Sequence, residues 1–484
     1  WALLLALGGC PTDDGPVGDD DAGDDDTGDD DVTGDDDTTD AGTWSRYGTV
    51  SAAGDLDGDG FDDVLAGDPR GTHSGREEGV VYVFRGPMAE GRIAMGSPDF
   101  VIVGEQPGDQ AGSALVAAGD LDGDGYDDVV IGAQDENTDL DLGGAVYVLR
   151  GPVNGTTSLA NANAKVASNG VLRLIGHAVG AGGDVGGDGI GDIVIGVGDD
   201  GQGAHSAGAA LLFDGGIGGV LDTGAARATL FGELDGDRLG CAVSIAGDVD
   251  GDGLADILVG AWADDTVGFN SGAAYLFYGS LEGEIDATEA DAKLTAVGSS
   301  HRAGEAVAGA GDVNGDGYDD IVIGAPDASP GLCGHAYLLY GPIEGDMSLA
   351  DADATLIGDS EYLTGGPGSA GTVVGTAGDY DGDGLDDVLV TAPFGETYYG
   401  LGDGGLAYVV PGPVSGEIVL WTSPEVEQLA GGPDDLTFGY VASPAGDVNG
   451  DGYDDVLVGS PAQSSEHEPG EWPGAVYLFT GGPG

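Results

Sequence analysis

The stretch Gly119-Asp-Leu-Asp-Gly-Asp-Gly-Tyr-Asp-Asp-Val-Val-Ile-Gly132 decides how the rest of this chain is read. Over its nine residues 120–128, carboxylates stand at loop positions 1, 3, 5 and 9, as Asp120, Asp122, Asp124 and Asp128. Gly123 and Gly125 let the backbone turn back on itself. Acids packed this closely repel one another and are driven to protonate unless a cation neutralises them. Ca2+ takes about six to eight oxygen ligands in flexible geometry. The four carboxylates, the Tyr126 carbonyl at position 7 and a water would fill that sphere.

The loop recurs, starting at Asp55, Asp120, Asp184, Asp248, Asp312, Asp379 and Asp447, at spacings of 64 to 68 residues. A period of this size signals a repeat architecture, in which each unit buries its apolar faces against its neighbours. A small-residue strand leads into each loop and an apolar strand leaves it, as in Val129-Val-Ile, Ile257-Leu-Val and Val456-Leu-Val. A third strand follows (Ala145-Val-Tyr-Val-Leu, Ala273-Ala-Tyr-Leu-Phe), and a short fourth precedes the next repeat (Phe100-Val-Ile-Val, Ala354-Thr-Leu-Ile). Short strands rich in Val, Ile and Tyr between Gly and Pro punctuation predict all-β structure. Four strands per unit and seven units predict a seven-bladed β-propeller over residues 44–484. The sequence ends just after the third strand of the seventh unit, so the last blade is expected to lack its outer strand and the C-terminus to be truncated.

An EF-hand also begins Asp-x-Asp-x-Asp-Gly, but it needs a bidentate Glu at position 12 and flanking helices. Position 12 is here Ala66, Ile131, Ile195, Val259, Ile323, Val390 and Val458, each in an apolar strand. EF-hand and dockerin readings therefore fail.

The chain has 88 acidic residues against 12 Lys plus Arg, a formal net charge of −76. That balance argues against nucleic acid, whose binding is driven by neutralising phosphates with Lys and Arg. Beyond the loops the excess acid reads as a solubilising surface. Cys241 and Cys333 are far apart and read as small buried apolar residues rather than a disulfide or zinc site.

Residues 1–10 are apolar and end in Leu7-Gly8-Gly9-Cys10, which resembles the lipobox of a bacterial lipoprotein signal peptide, here truncated. That resemblance implies lipidation of Cys10, with the membrane reached through the lipid anchor alone. Pro11 follows where Asp would resemble an inner-membrane retention signal, which favours the outer membrane or cell surface of a bacterial envelope. Residues 11–43 are almost only Asp, Gly and Thr, a composition that cannot bury a core and reads as a disordered, extended linker.

Phe438-Gly439, then Gly446-Asp-Val-Asn-Gly-Asp-Gly-Tyr-Asp-Asp-Val, then Gly459-Ser460-Pro461 resembles the FG-GAP repeat signature, best known from the propeller of integrin α subunits. The resemblance implies that calcium loops join the first two strands of each blade on one face and that ligands are engaged from the opposite face. Carried over residue by residue, it implies calcium ligands at Asp55, Asp57, Asp59 and Asp63; Asp120, Asp122, Asp124 and Asp128; and Asp248, Asp250, Asp252 and Asp256. It implies the same for Asp312, Asn314, Asp316 and Asp320; Asp379, Asp381, Asp383 and Asp387; and Asp447, Asn449, Asp451 and Asp455. Position-7 carbonyls come from Phe61, Tyr126, Leu254, Tyr318, Leu385 and Tyr453. The third loop keeps Asp184, Asp188 and Asp192 but has Gly186 at position 3, so it is expected to be the weakest site or empty, giving six or seven Ca2+ in all.

Loops on the opposite face carry Arg70, Trp262, Phe269, Tyr398, Tyr399 and Trp472. Aromatic side chains on loops of a rigid scaffold are what a binding surface uses. The expected function is a surface-tethered, monomeric adhesion module for an unknown protein or glycan. A polysaccharide-active enzyme and a passive spacer stay open as alternatives, because fold does not fix function. The six histidines share no motif, and there is no nucleophile elbow, HExxH or P-loop.

Overall fold

The computed structural model describes residues 48–73, 75–134, 143–168, 175–197, 207–328, 333–358, 369–393, 404–432, 435, 437–461 and 474–483. Within them seven sheets form the blades of a ring, the expected seven-bladed propeller, beside one small hairpin of Thr72–His73 with Arg76–Glu77. Blade 2 is typical. Ala111–Gly119 lies innermost, followed outward by Asp128–Ala133, Ala145–Leu149 and Ala164–Ala167.

Every residue of the second strand is buried in this blade and in its counterparts. The cause is packing on two sides. Val129 and Ile131 meet Leu65, Val81 and Val83 of blade 1, whereas Val130 meets Ile193 and Ile195 of blade 3. A strand buried on both faces reads as a continuous apolar run rather than an alternating one. Seven such seams carry the core, and the last joins Val64 and Ala66 of blade 1 to Leu457 and Val476 of blade 7. The first strands use small residues because they crowd the axis. A methyl group at Gly309 would collide with the carbonyl of Ala246 in the first strand of the preceding blade, and one at Gly176 with that of Ala145 in the blade before it. Their upper ends line a central cavity of about 200 Å³, which His177 and Glu305 reach.

Four-stranded blades were expected, and the four antiparallel strands are present, but most blades gain a fifth. In blade 1 it is Thr156–Ser158, which leaves the third strand of blade 2 and pairs parallel with Phe100–Val103. Gly219–Asp222, Gly283–Asp286, Met347–Ser348 and Gly416–Val419 do the same for blades 2 to 5. Each donated strand covers an edge that would otherwise invite pairing with another chain. In the four blades supplying Thr156–Ser158, Gly219–Asp222, Gly283–Asp286 and Met347–Ser348, one 3-10 turn leads back to the fourth strand, capped by the side chain of Ser158, Asp222, Asp286 or Ser348.

The same donation corrects the expectation of an open last blade. Gly91–Arg92, from the corresponding segment of blade 1, pairs antiparallel with Ala475–Phe479, setting Arg92 opposite Tyr477 and Gly91 opposite Leu478. The Ile93 N–H adds a bond to the Val476 carbonyl at 2.8 Å. Blade 7 thus has four strands, the outer one borrowed across the ring closure.

Cys241 and Cys333 are both buried. Cys333 forms no disulfide, as expected. Cys241 packs against Trp262 and Ala263. Residues 1–43, with the leader, Cys10 and the linker, lie outside the described residues.

Candidate metal centres

The acidic loops all sit between the first and second strands, hence at one end of every blade. In blade 2 the Asp120 carboxylate accepts the N–H groups of Gly123 (2.7 Å), Asp124 (3.1 Å) and Gly125 (2.9 Å), and Asp124 accepts that of Tyr126 (3.0 Å). Gly123 and Gly125 adopt φ of 76° and 90°, a region that other residues rarely enter. Such a wrap brings the carboxylates of Asp120 and Asp122 together with that of Asp128 at position 9.

Position 9 anchors the loop to its blade. Asp128 is fully buried, with Oδ1 accepting the Gly151 N–H (2.9 Å) and Oδ2 that of Leu121 (3.0 Å). Asp63, Asp256, Asp320, Asp387 and Asp455 repeat both bonds with the equivalent residues of their blades.

Carboxylate oxygens come within 4.8 Å of one another in four loops: Asp55, Asp57 and Asp59; Asp120, Asp122 and Asp128; Asp248, Asp250 and Asp256; and Asp379, Asp381 and Asp383. In blades 5 and 7 position 3 is an amide, and Asn314 and Asn449 donate to Asp316 and Asp451, each at 3.0 Å. Asp379 Oδ1 is buried without a hydrogen-bond partner. Oxygen-only clusters of this charge suit a hard divalent cation.

The electrostatics agree. Burial, with the carboxylates of Asp57 and Asp59 adding to it, pushes Asp63 up to about 7. Burial likewise raises Asp256 and Asp320 to about 7, and Asp128, Asp387 and Asp455 to about 6. Without a cation the folded state therefore holds protons that the unfolded chain has released by pH 5, and stability falls as pH rises from about 4 through 7. A bound cation holds the same groups ionised and reverses the slope. Melting temperatures in chelator should drop between pH 5 and pH 8, and in millimolar calcium they should rise. Parallel profiles would show that these carboxylates do not meet a cation.

The sequence reading missed position 8. Asp127 of blade 2 accepts the backbone N–H of Asp55, at position 1 of blade 1, at 2.8 Å. Asp319 does so for Asp248, Asp386 for Asp312, Asp454 for Asp379 and Asp62 for Asp447, the last across the ring closure. The latch is absent where blades 3 and 4 have Gly191 and Ala255. Asp319→Ala leaves the Asp248 N–H without its acceptor and should cost about 1–3 kcal/mol. Equal denaturation midpoints for variant and parent would refute the latch.

At the other end of the ring, the two loops flanking blade 4 and the loop after its second strand come together. Trp262 is not the exposed aromatic that the sequence suggested. It is 5% exposed, with the guanidinium of Arg302 at 4.3 Å and that of Arg238 at 4.9 Å from its ring. Phe269 is exposed instead, at 70%, together with Leu234, Val267 and Val297. The Phe269 carbonyl accepts the Ser300 N–H at 2.8 Å, which ties the two loops together. Arg70 is exposed after the second strand of blade 1. Tyr398, Tyr399 and Trp472 lie outside the described residues.

Residues 47–84, 111–149, 303–337, 370–410 and 438–479 match the FG-GAP repeat, and 232–277 match a second form of it. The chain belongs to the FG-GAP repeat family. The matched stretches contain the loops of blades 1, 2, 4, 5, 6 and 7 of this FG-GAP ring. The ring is also similar to integrin α chains. It is 29% identical over 231 residues to integrin alpha pat-2 of Caenorhabditis briggsae, covering 44% of this chain and 18% of the relative. Integrin alpha-PS2 of Drosophila melanogaster gives 32% over 233 residues (46% and 16%), and human integrin alpha-IIb 32% over 156 residues (31% and 14%). This FG-GAP chain spans less than a fifth of the length of these relatives. Among its described residues no helix is long and apolar enough to cross a membrane.

Proposed function

We propose that this FG-GAP ring is a calcium-stabilised adhesion module, tethered to a bacterial cell surface by a lipid on Cys10. Its face opposite the metal loops engages a protein or glycan. The observation that carries the reading is the grouping of exposed apolar side chains. Among the described residues six large ones are exposed, and four of these, Leu234, Val267, Phe269 and Val297, share that face at blade 4. Rigid scaffolds that present aromatic and aliphatic anchors this way use them as hot spots. Similarity to integrin α chains supports an adhesive role.

The calcium loops set the rigidity of the ring, and the blade 4 loops supply the contact. Immobilised protein in millimolar calcium, probed with cell-surface proteins and a glycan array and eluted with chelator, tests the reading. A specific partner whose affinity falls at least about tenfold in Phe269→Ala, with the melting temperature unchanged, is expected. Equal capture by parent and variant, or no partner on any relevant surface, would overturn it.

A further inference from the structure

Blade 3 departs from the other blades at three positions that lie against one another. Its loop has Gly186 at position 3, where the others have Asp or Asn. The second and third departures form a pair. In blades 1, 2, 4 and 5 the residue just before the fourth strand is Asp99, Asn163, Asp291 or Asp353, and its side-chain oxygen accepts the N–H of the residue just after the third strand. Those acceptors serve Arg85, Arg150, Tyr278 and Tyr340 at 2.8 to 3.0 Å. In blade 3 the pair is reversed, with Asp214 after the third strand and Arg227 before the fourth. The main chain is unchanged there: the Arg227 N–H bonds Leu212 and its carbonyl accepts from Gly283, as Asn163 does with Val148 and Gly219.

The reversal sends a cation into the loop. Arg227 Nη1 pairs with Asp214 at 2.8 Å, Nη2 lies 3.5 Å from the Gly186 carbonyl, and Nε donates to the Leu281 carbonyl at 3.1 Å. A methyl group added at Gly186 would collide with Nη1, so the guanidinium stands where a position-3 side chain would begin. Arg85 and Arg150 also reach their loops, but they pair with Asp57 (2.6 Å) and Asp122 (3.2 Å), carboxylates that blade 3 lacks. We propose that Arg227 is a built-in cation that takes the place of the divalent ion in blade 3, closing that loop permanently and leaving the ring with six metal sites.

A guanidinium is always charged and cannot dissociate, so blade 3 is locked whatever the calcium concentration. The inference rests on the reading of the other loops as calcium sites, and the test separates the two. Calcium bound to the full chain is counted after equilibrium dialysis at millimolar calcium. Six equivalents are expected for the parent, for Gly186→Asp, whose new carboxylate pairs with Arg227, and for Arg227→Asn. The double variant Gly186→Asp/Arg227→Asn is expected to bind seven. Seven equivalents in the parent, or six in a folded double variant, would overturn the role of Arg227 alone; none in the parent would overturn the calcium reading and this inference with it. Hydrogen exchange on the parent needs no variant. Adding calcium should slow the amides of Gly251 and Gly253 in blade 4 about tenfold or more and leave those of Gly187 and Gly189 in blade 3 unchanged. Equal slowing in both loops would overturn the proposal.

Discussion

Chelating calcium should lower the melting temperature of this protein more than any single substitution in it. Each full loop gathers carboxylates that are buried, mutually repulsive, or both, and an ion that binds only the folded loop stabilises it by mass action. With dissociation constants of about 10⁻⁴ to 10⁻³ M, typical of extracellular calcium modules, about 10 mM calcium contributes roughly 1.4–2.7 kcal/mol per site. Six sites amount to roughly 8–16 kcal/mol, as large as the whole net stability of a typical domain, about 5–15 kcal/mol. Thermal melts in chelator and in 10 mM calcium, about the same for a protein whose loops are only acidic turns, should differ widely here.

Asp256→Ala should be the most damaging loop substitution, and it should act even in chelator. Its two oxygens accept the N–H groups of Val249 (2.8 Å) and Gly279 (2.9 Å), and the residue is fully buried. Removing it leaves one buried and one part-buried donor without their acceptor, at about 1–3 kcal/mol for the buried one and less for the other, in addition to the lost site. Asp252→Ala, on an exposed neighbour that accepts only the Leu254 N–H, should cut calcium affinity more than any change at Gly186 and shift the chelator melt by no more than about 0.5 kcal/mol. Denaturant unfolding of both variants in chelator separates the roles, and equal losses would show that position 9 does not anchor the blade.

The blades and their loops were legible because each rests on a local signal: glycines that only a tight wrap needs, apolar runs that only doubly covered strands tolerate, and a repeat of both. Long-range relations were not. The Asp127-Asp128 doublet was visible in the sequence, but the N–H it latches belongs to Asp55, 72 residues away. The donated strands, such as Thr156–Ser158, run for only two to four residues and lie exposed or half-buried at the rim, so they carry no period to detect. Gly91–Arg92, which completes blade 7, is two residues long and is defined only by its partner at the far end of the chain. Trp262 looked exposed because aromatics in loops often are, yet arginines from two neighbouring loops cover it. Arg227 could have been noticed as a charge at a position where its counterparts are Asp or Asn, but only the fold places it beside Gly186.

The central claim is that calcium in six loops holds the ring, and a crystal grown in calcium with anomalous scattering data tests it most directly. Six peaks are expected, one in each loop that begins at Asp55, Asp120, Asp248, Asp312, Asp379 and Asp447, each about 2.3–2.6 Å from its oxygen ligands. Loops without peaks, or ions bound elsewhere in their place, would contradict the claim.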